Sequence, residues 1–213
     1  MKHMRKAFSL IMALVMIVCL AVPAFAASTD EATVTVYVTT GMFTEGGYDP
    51  DHGTFKTQEF KDSESLDNHL FDGMEPLMLD AATVSALLFS EDDYVGIREV
   101  YSAPSTLSND VNVLDAIICA LQLNGYECEG GWDSVSTYPG GYVHSVTPNG
   151  IPTAGSTNAT INGVQYTKYY GTGWRIAIGQ NGEFTAPSKY GTSFPIQDGM
   201  IIVFDLSSYV IYA

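Results

Sequence analysis

Only a few side chains in this sequence are spaced so that they could do chemistry. His144 and Ser145 are adjacent, but they lie in Gly141-Tyr142-Val143-His144-Ser145-Val146, an alternating stretch in which neighbours point to opposite faces of a strand. No G-x-S-x-G elbow accompanies them, so the pair reads as a solvent-facing His beside a packed Ser. Glu91-Asp92-Asp93 supplies neighbouring carboxylates and reads as a solvated helix end rather than a glycosidase pair. Glu45, Asp49 and Asp51 could offer oxygens to calcium, yet the Asp-x-Asp-x-Asp-Gly spacing is missing and Pro50 interrupts it. Asp49-Pro50-Asp51-His52-Gly53 is better read as a plain turn. His52, His69 and His144 lack zinc-ligand spacing. No catalytic residue, metal or cofactor is assigned on these grounds.

Cys119 and Cys128 lie far enough apart for a helix to end at Asn124-Gly125 and turn back, which favours a local disulfide. Closing about ten residues would stabilise the fold by roughly 2.5 to 3 kcal/mol in the chain-entropy model. Two buried free thiols are the alternative, because Cys119 falls in an apolar helix. The stronger binding signal is aromatic. Trp132, Tyr138, Tyr142, Tyr166, Tyr169, Tyr170 and Trp174 crowd the Gly-rich second half. Rigid rings on loops give contact area at low entropic cost. Trp132 and Tyr138, between Gly130-Gly131 and Pro139-Gly140-Gly141, are the best candidates. Tyr142, His144, Trp174 and Arg175 complete the expected ligand-binding set, against ordinary sheet packing as the plainer role.

These residues need elements to hold them. Thr33 to Thr40 alternates β-branched and polar residues as a half-buried strand does, and Gly41 ends it. Residues 42–73 are polar and turn-rich, predicting a hairpin or long loop. Pro76 and the apolar residues Leu77 to Leu88 predict a helix, with Asp80 available as a restart cap. Tyr94 to Tyr101 reads as a short strand. Leu114, Ile117, Ile118 and Leu121 form a helical stripe from about Val111 to Asn124, with Asp110 as N-cap and Gly125 at C′. Strand islands follow at Gly141 to Val146, Thr160 to Tyr170, Gly173 to Ile178 and Met200 to Leu206, set off by Asn149-Gly150, Asn162-Gly163 and Asn181-Gly182. Strands with one or two helices make an α+β domain, in one unit, since no linker is long enough to divide it.

Composition sets the surroundings. The 213 residues carry 9 Lys plus Arg against 24 Asp plus Glu, a formal charge of −15. That balance excludes a nucleic-acid partner, which demands a basic footprint. Lys2, Arg5 and Lys6 precede the apolar run Ala7 to Val22 and the A-x-A site Ala24-Phe25-Ala26, which predicts a signal peptide over 1–26 and a secreted chain, 27–213, without stable membrane insertion. The run is short for about 30 Å of hydrocarbon. Val18 before Cys19 speaks against lipidation, and Asn158-Ala159-Thr160 is a chance sequon in a bacterial-looking exported chain.

Five segments in order carry a resemblance: Thr33 to Val38, V-L-D-A-I at Val113 to Ile117, G-Y-V-H-S-V at Gly141 to Val146, G-W-R-I-A-I-G-Q-N-G at Gly173 to Gly182, and I-Q-D-G-M-I-I-V-F at Ile196 to Phe204. Together they resemble the transcobalamin-like C-terminal domain family, bacterial exported domains similar to the β-domain of cobalamin carriers. The resemblance spans about 33–206, with 42–112 expanded. It departs where Gly179-Gln180-Asn181-Gly182 lengthens a two-residue turn and where Met200 takes an acidic position. It implies a β-grasp-like mixed sheet with helices packed on one face and a β-rich C-terminal half. The expected function is a non-catalytic module for a small ligand, corrin-like or glycan, or for another surface protein. The alternative is a structural or assembly protein of the cell envelope. A hydrolase ranks third.

Overall fold

The computed structural model describes residues 32–89, 111–130, 143–187 and 194–213. The expected signal peptide, the run Glu91-Asp92-Asp93 and the expected strand at Tyr94 to Tyr101 lie outside them. The described chain forms strands β1 (Thr33–Thr40), β2 (Gly47–Asp49), β3 (Thr54–Lys56) and β4 (Leu77–Asp80), then helices α1 (Ala81–Leu88) and α2 (Val113–Leu123). Strands β5 (Glu127–Gly130), β6 (Val143–Thr147), β7 (Ala154–Ile161), β8 (Val164–Gln180), β9 (Glu183–Thr185) and β10 (Met200–Tyr212) follow. A six-stranded mixed sheet has the order β4-β1-β10-β8-β7, with β9 on β8, and the pairs β2–β3 and β5–β6 stand apart. The fold is α+β, with β1 and β10 parallel at the centre and the helices on one face.

Alternation in β1 buries Val34, Val36 and Val38 against the helices, together with Met200, Ile202 and Phe204 of β10. The helical stripe understates α2, whose residues Val113 to Leu121 are all buried. Its N-cap is Asn112 rather than Asp110. Asn112 accepts from the Asp115 backbone N–H (3.0 Å), and Asp115 accepts from the Asn112 backbone N–H (2.8 Å). The start is displaced because the chain at 194–196 takes the preceding backbone: Val113 N–H donates to Phe194 and Ile196 N–H to Val111. At the other end, Tyr126 N–H reaches Leu121 and Gly125 N–H reaches Gln122, a Schellman closure around the expected C′ glycine. Leu77 to Asp80, expected as helix, is instead a strand antiparallel to β1. Asp80 does cap α1, accepting from Thr83 N–H at 2.6 Å.

The opposite face is covered by the part of the segment 42–73 that carries Phe43, Phe60 and Leu66, whereas Phe71 joins the helix-side core. Phe43, Ala177 and Val203 are buried on that opposite face, and Phe60 bridges Phe43 (5.3 Å) and Phe184 (4.9 Å). Asp205 fastens this cover. Wholly buried, it accepts from the Thr39 hydroxyl (2.7 Å), the Met42 N–H (3.0 Å) and the Ser207 hydroxyl, and Ser207 Oγ accepts from Phe43 N–H (3.1 Å). A carboxylate is tolerable at such depth only with its oxygens occupied in this way.

The second half is longer-stranded than expected. Two islands merge into β8, and β10 continues past Leu206 to Tyr212. Gly171 permits the continuation, since a Cβ there would sit 1.9 Å from the Thr153 carbonyl oxygen. Asn181-Gly182 makes a two-residue turn, because Gln180 pairs with Glu183; the lengthened turn expected at this place is therefore corrected.

Replacing Asp205 by Ala would strand two hydroxyls and an amide in the core. An expected loss of about 3 to 5 kcal/mol should appear as a lower urea midpoint with the fold retained below it. A loss under about 0.5 kcal/mol would show that the network does not hold the cover.

Candidate functional site

Among the expected ligand residues, the structure describes Trp174 and Arg175 fully. Trp132, Tyr138 and Tyr142 lie outside the described residues; His144 has its backbone in β6, but its side chain lies outside them. Ser145 beside it is buried.

Trp174 is half-buried and acts as a packing anchor. Its ring stacks on Phe204 (centroids 4.3 Å, planes within 6°) and meets Phe71 edge-on at 5.3 Å. Its Nε1–H donates to the Gly150 carbonyl at 2.9 Å, so its one polar atom is engaged. A Cβ on Gly150 would come within 2.5 Å of the indole, which is why the chain after β6 can lie directly on it. Trp174 therefore takes the core-anchor role rather than offering a free ring. Arg175 projects from the opposite face of β8, in register with Asp205, and is exposed. Asp205 is already occupied, and Arg175 makes no ion pair among the described residues. Partial desolvation lowers its pKa, yet a guanidinium remains a cation.

Beside Trp174 sits a polar clamp with no local sequence signature. Asp72, in a 3₁₀ turn at φ +49°, accepts from Tyr126 Oη (2.8 Å) and Asn149 Nδ2 (2.6 Å), tying three distant segments together. The Tyr126 hydroxyl and then the Asn149 amide hold the Asp72 carboxyl below the usual range; the same contact raises the Tyr126 phenol. Phe71 packs on Tyr126 at 5.8 Å, so the clamp continues into the core.

Cys119 is a free, fully buried thiol; its expected partner Cys128 is a residue of β5 whose side chain lies outside those described. Cys119 faces the apolar interior of α2 and its neighbours, and burial pushes it up to about 11. In the 49–53 turn, Lys56 (2.5 Å) and His52 (2.7 Å) converge on Asp49 and lower it to about 2, while the Asp51 N–H donates to the same carboxylate. Asp49 is thus the organiser of its own turn.

The exposed aromatic surface is elsewhere, on the outer ribbon of β7, β8 and β10. Tyr169 and Ile211 face each other in register, exposed by 44% and 49%. Tyr170, also 44% exposed, emerges on the other side, its ring over Gly155 and below Lys168 Nζ (5.9 Å). Phe55 of the β2–β3 hairpin rests on Tyr166 (5.2 Å) and Tyr212 (5.5 Å). Its strands β7 and β8 belong to residues 134–182, which contain no Asp or Glu in a chain that has 24. That acid-free stretch was legible in the sequence and is the signal that separates this surface from the rest.

Comparison with protein-family models, curated proteins and solved structures finds no match for this chain. Among the described residues, no helix is long and apolar enough to cross a membrane.

Because Asp72 titrates lower in the folded state than unfolded, its stabilisation is complete above the unfolded value near 3.9 and is lost as pH falls through the folded value. Tyr126 behaves inversely, its share disappearing only as pH rises beyond about 10. In Asp72→Asn, the stability difference between about pH 6 and pH 3, from urea unfolding, should be smaller than in the parent. An unchanged difference would remove the clamp from the acid response.

Proposed function

We propose that the chain is an exported, non-catalytic binding module that presents the outer ribbon to a neutral small ligand or to a surface partner. One observation carries this reading: the exposed rings of Tyr169 and Tyr170 occupy the acid-free part of an otherwise acidic molecule, with exposed Ile211 of β10 opposite Tyr169. Aromatic rings supply contact area to sugar or corrin faces, and the surrounding Thr, Ser, Asn and Gln side chains supply hydrogen bonds without charge. Arg175 and Lys168 are the Lys and Arg of the stretch, and Tyr138 and Tyr142 belong to it in sequence. The resemblance to the transcobalamin-like C-terminal family adds corrinoids to the ligands worth testing.

Isothermal titration against cobinamide, cobalamin and neutral wall or host glycans tests the proposal. The expected result is saturable heat with one member, weakened about tenfold by Tyr169→Ala with unchanged circular dichroism. Silence across the panel would reject the small-ligand form. Turnover of any panel member by the purified protein would reject a non-catalytic role.

A further inference from the structure

The two end strands of the sheet are built differently. β4 has four residues, ends on Asp80 and follows Glu75. Short, charged ends are how proteins keep edges from pairing with other chains. β7 has eight residues, Ala-Gly-Ser-Thr-Asn-Ala-Thr-Ile, and runs in unbroken register with β8 from Ala154↔Gly171 to Ile161↔Val164. It contains no charge, no proline and no bulge. No strand lies on its outer side among the described residues.

The backbone phase of that edge follows from the turn. Ile161 and Val164 flank the two-residue Asn162-Gly163 turn and so form a hydrogen-bonded pair. Alternation then directs the N–H and C=O groups of Ala154, Ser156, Asn158 and Thr160 away from β8. The Thr172 N–H bond to the Thr153 carbonyl fits the same phase.

We propose that this edge pairs antiparallel with β7 of a second copy, joining two sheets into one. Charge selects the occupant. Each copy carries −15, so contacts through the acidic segments set carboxylates against carboxylates, whereas β7 lies within the acid-free residues 134–182. Side-chain size selects it as well. A foreign strand gains specificity from pockets for its alternate side chains, and Ala, Gly, Ser, Thr and Asn are too small to build them. Self-pairing about a two-fold axis needs no such pockets, because the same outward backbone groups serve both sides of the pair. The four outward residues of each copy provide about eight hydrogen bonds. This inference goes beyond the ligand-binding proposal and does not need it.

Sedimentation velocity of the purified protein tests it. A monomer–dimer equilibrium is expected with a dissociation constant on the order of tens of micromolar, tightening as salt screens the like charges of the two copies. Asn158→Pro removes an outward N–H without touching the β8 ladder, and Asn158→Lys brings two cations near the axis; both should weaken the dimer at least tenfold with unchanged circular dichroism. A chain that stays monomeric to ~500 μM at high salt overturns the proposal, whether or not it binds another polypeptide. A dimer of unchanged strength in both variants also overturns it.

Discussion

The parallel pairing of β1 with β10 is the constraint on which the rest of the structure depends. Antiparallel neighbours can be joined by a turn, but a parallel pair needs a crossover, and its strands are stable when both faces are covered. Here the pair joins the beginning of the described chain to its end, from Val34↔Met200 to Thr40↔Leu206. α1 and α2 cover one face with a contiguous apolar core. The other face is covered by a segment with little regular structure, which needs polar fastening. Asp205 supplies it, gripping β1 through Thr39 and the cover through Met42.

From that centre the strands diverge in role. The inner halves of β8 and β10 pack on both sides; their outer halves, with β7, run past the end of β1 and expose tyrosines. The β2–β3 hairpin braces this ribbon, Phe55 lying on Tyr166 and Tyr212, and Asn162 donating to the Tyr48 hydroxyl at 3.1 Å. A rigid sheet can therefore hold exposed rings in fixed positions without burying them. Trp174 sits where the two roles meet, its ring in the core and its N–H tying down the chain that leads into β7.

Much of the centre was legible because burial writes itself as periodicity: Thr33 to Thr40 alternates, and its strand has the expected bounds. The α+β class and the helix around Leu114 to Leu121 follow from the same kind of pattern. What escaped depended on distant partners. Leu77 to Asp80 is apolar enough for a helix, and only its pairing with β1 makes it a strand. Asp110 and Asn112 are comparable caps until 194–196 claims the backbone between them. Glycine was read as punctuation in β8, whereas Gly171 admits a neighbouring backbone. The role of Ser207 depends on its partner Asp205, whose burial has no local sign in the sequence. The candidate binding residues divided on similar grounds: Trp174 was drawn into the core, and Tyr169 was left exposed.

Native-state hydrogen exchange on the backbone amides tests the two-sided burial of the β1–β10 pair most directly. The amides of β1, of β10 from 201 to 206 and of α2 should exchange last, through global unfolding. Met42 and Phe43, whose N–H groups are held by Asp205 and Ser207, should share that slow class although they lie outside any strand. Exchange of Met42 and Phe43 at rates typical of open loops, while β1 stays protected, would show the second face to be uncovered and would contradict this account.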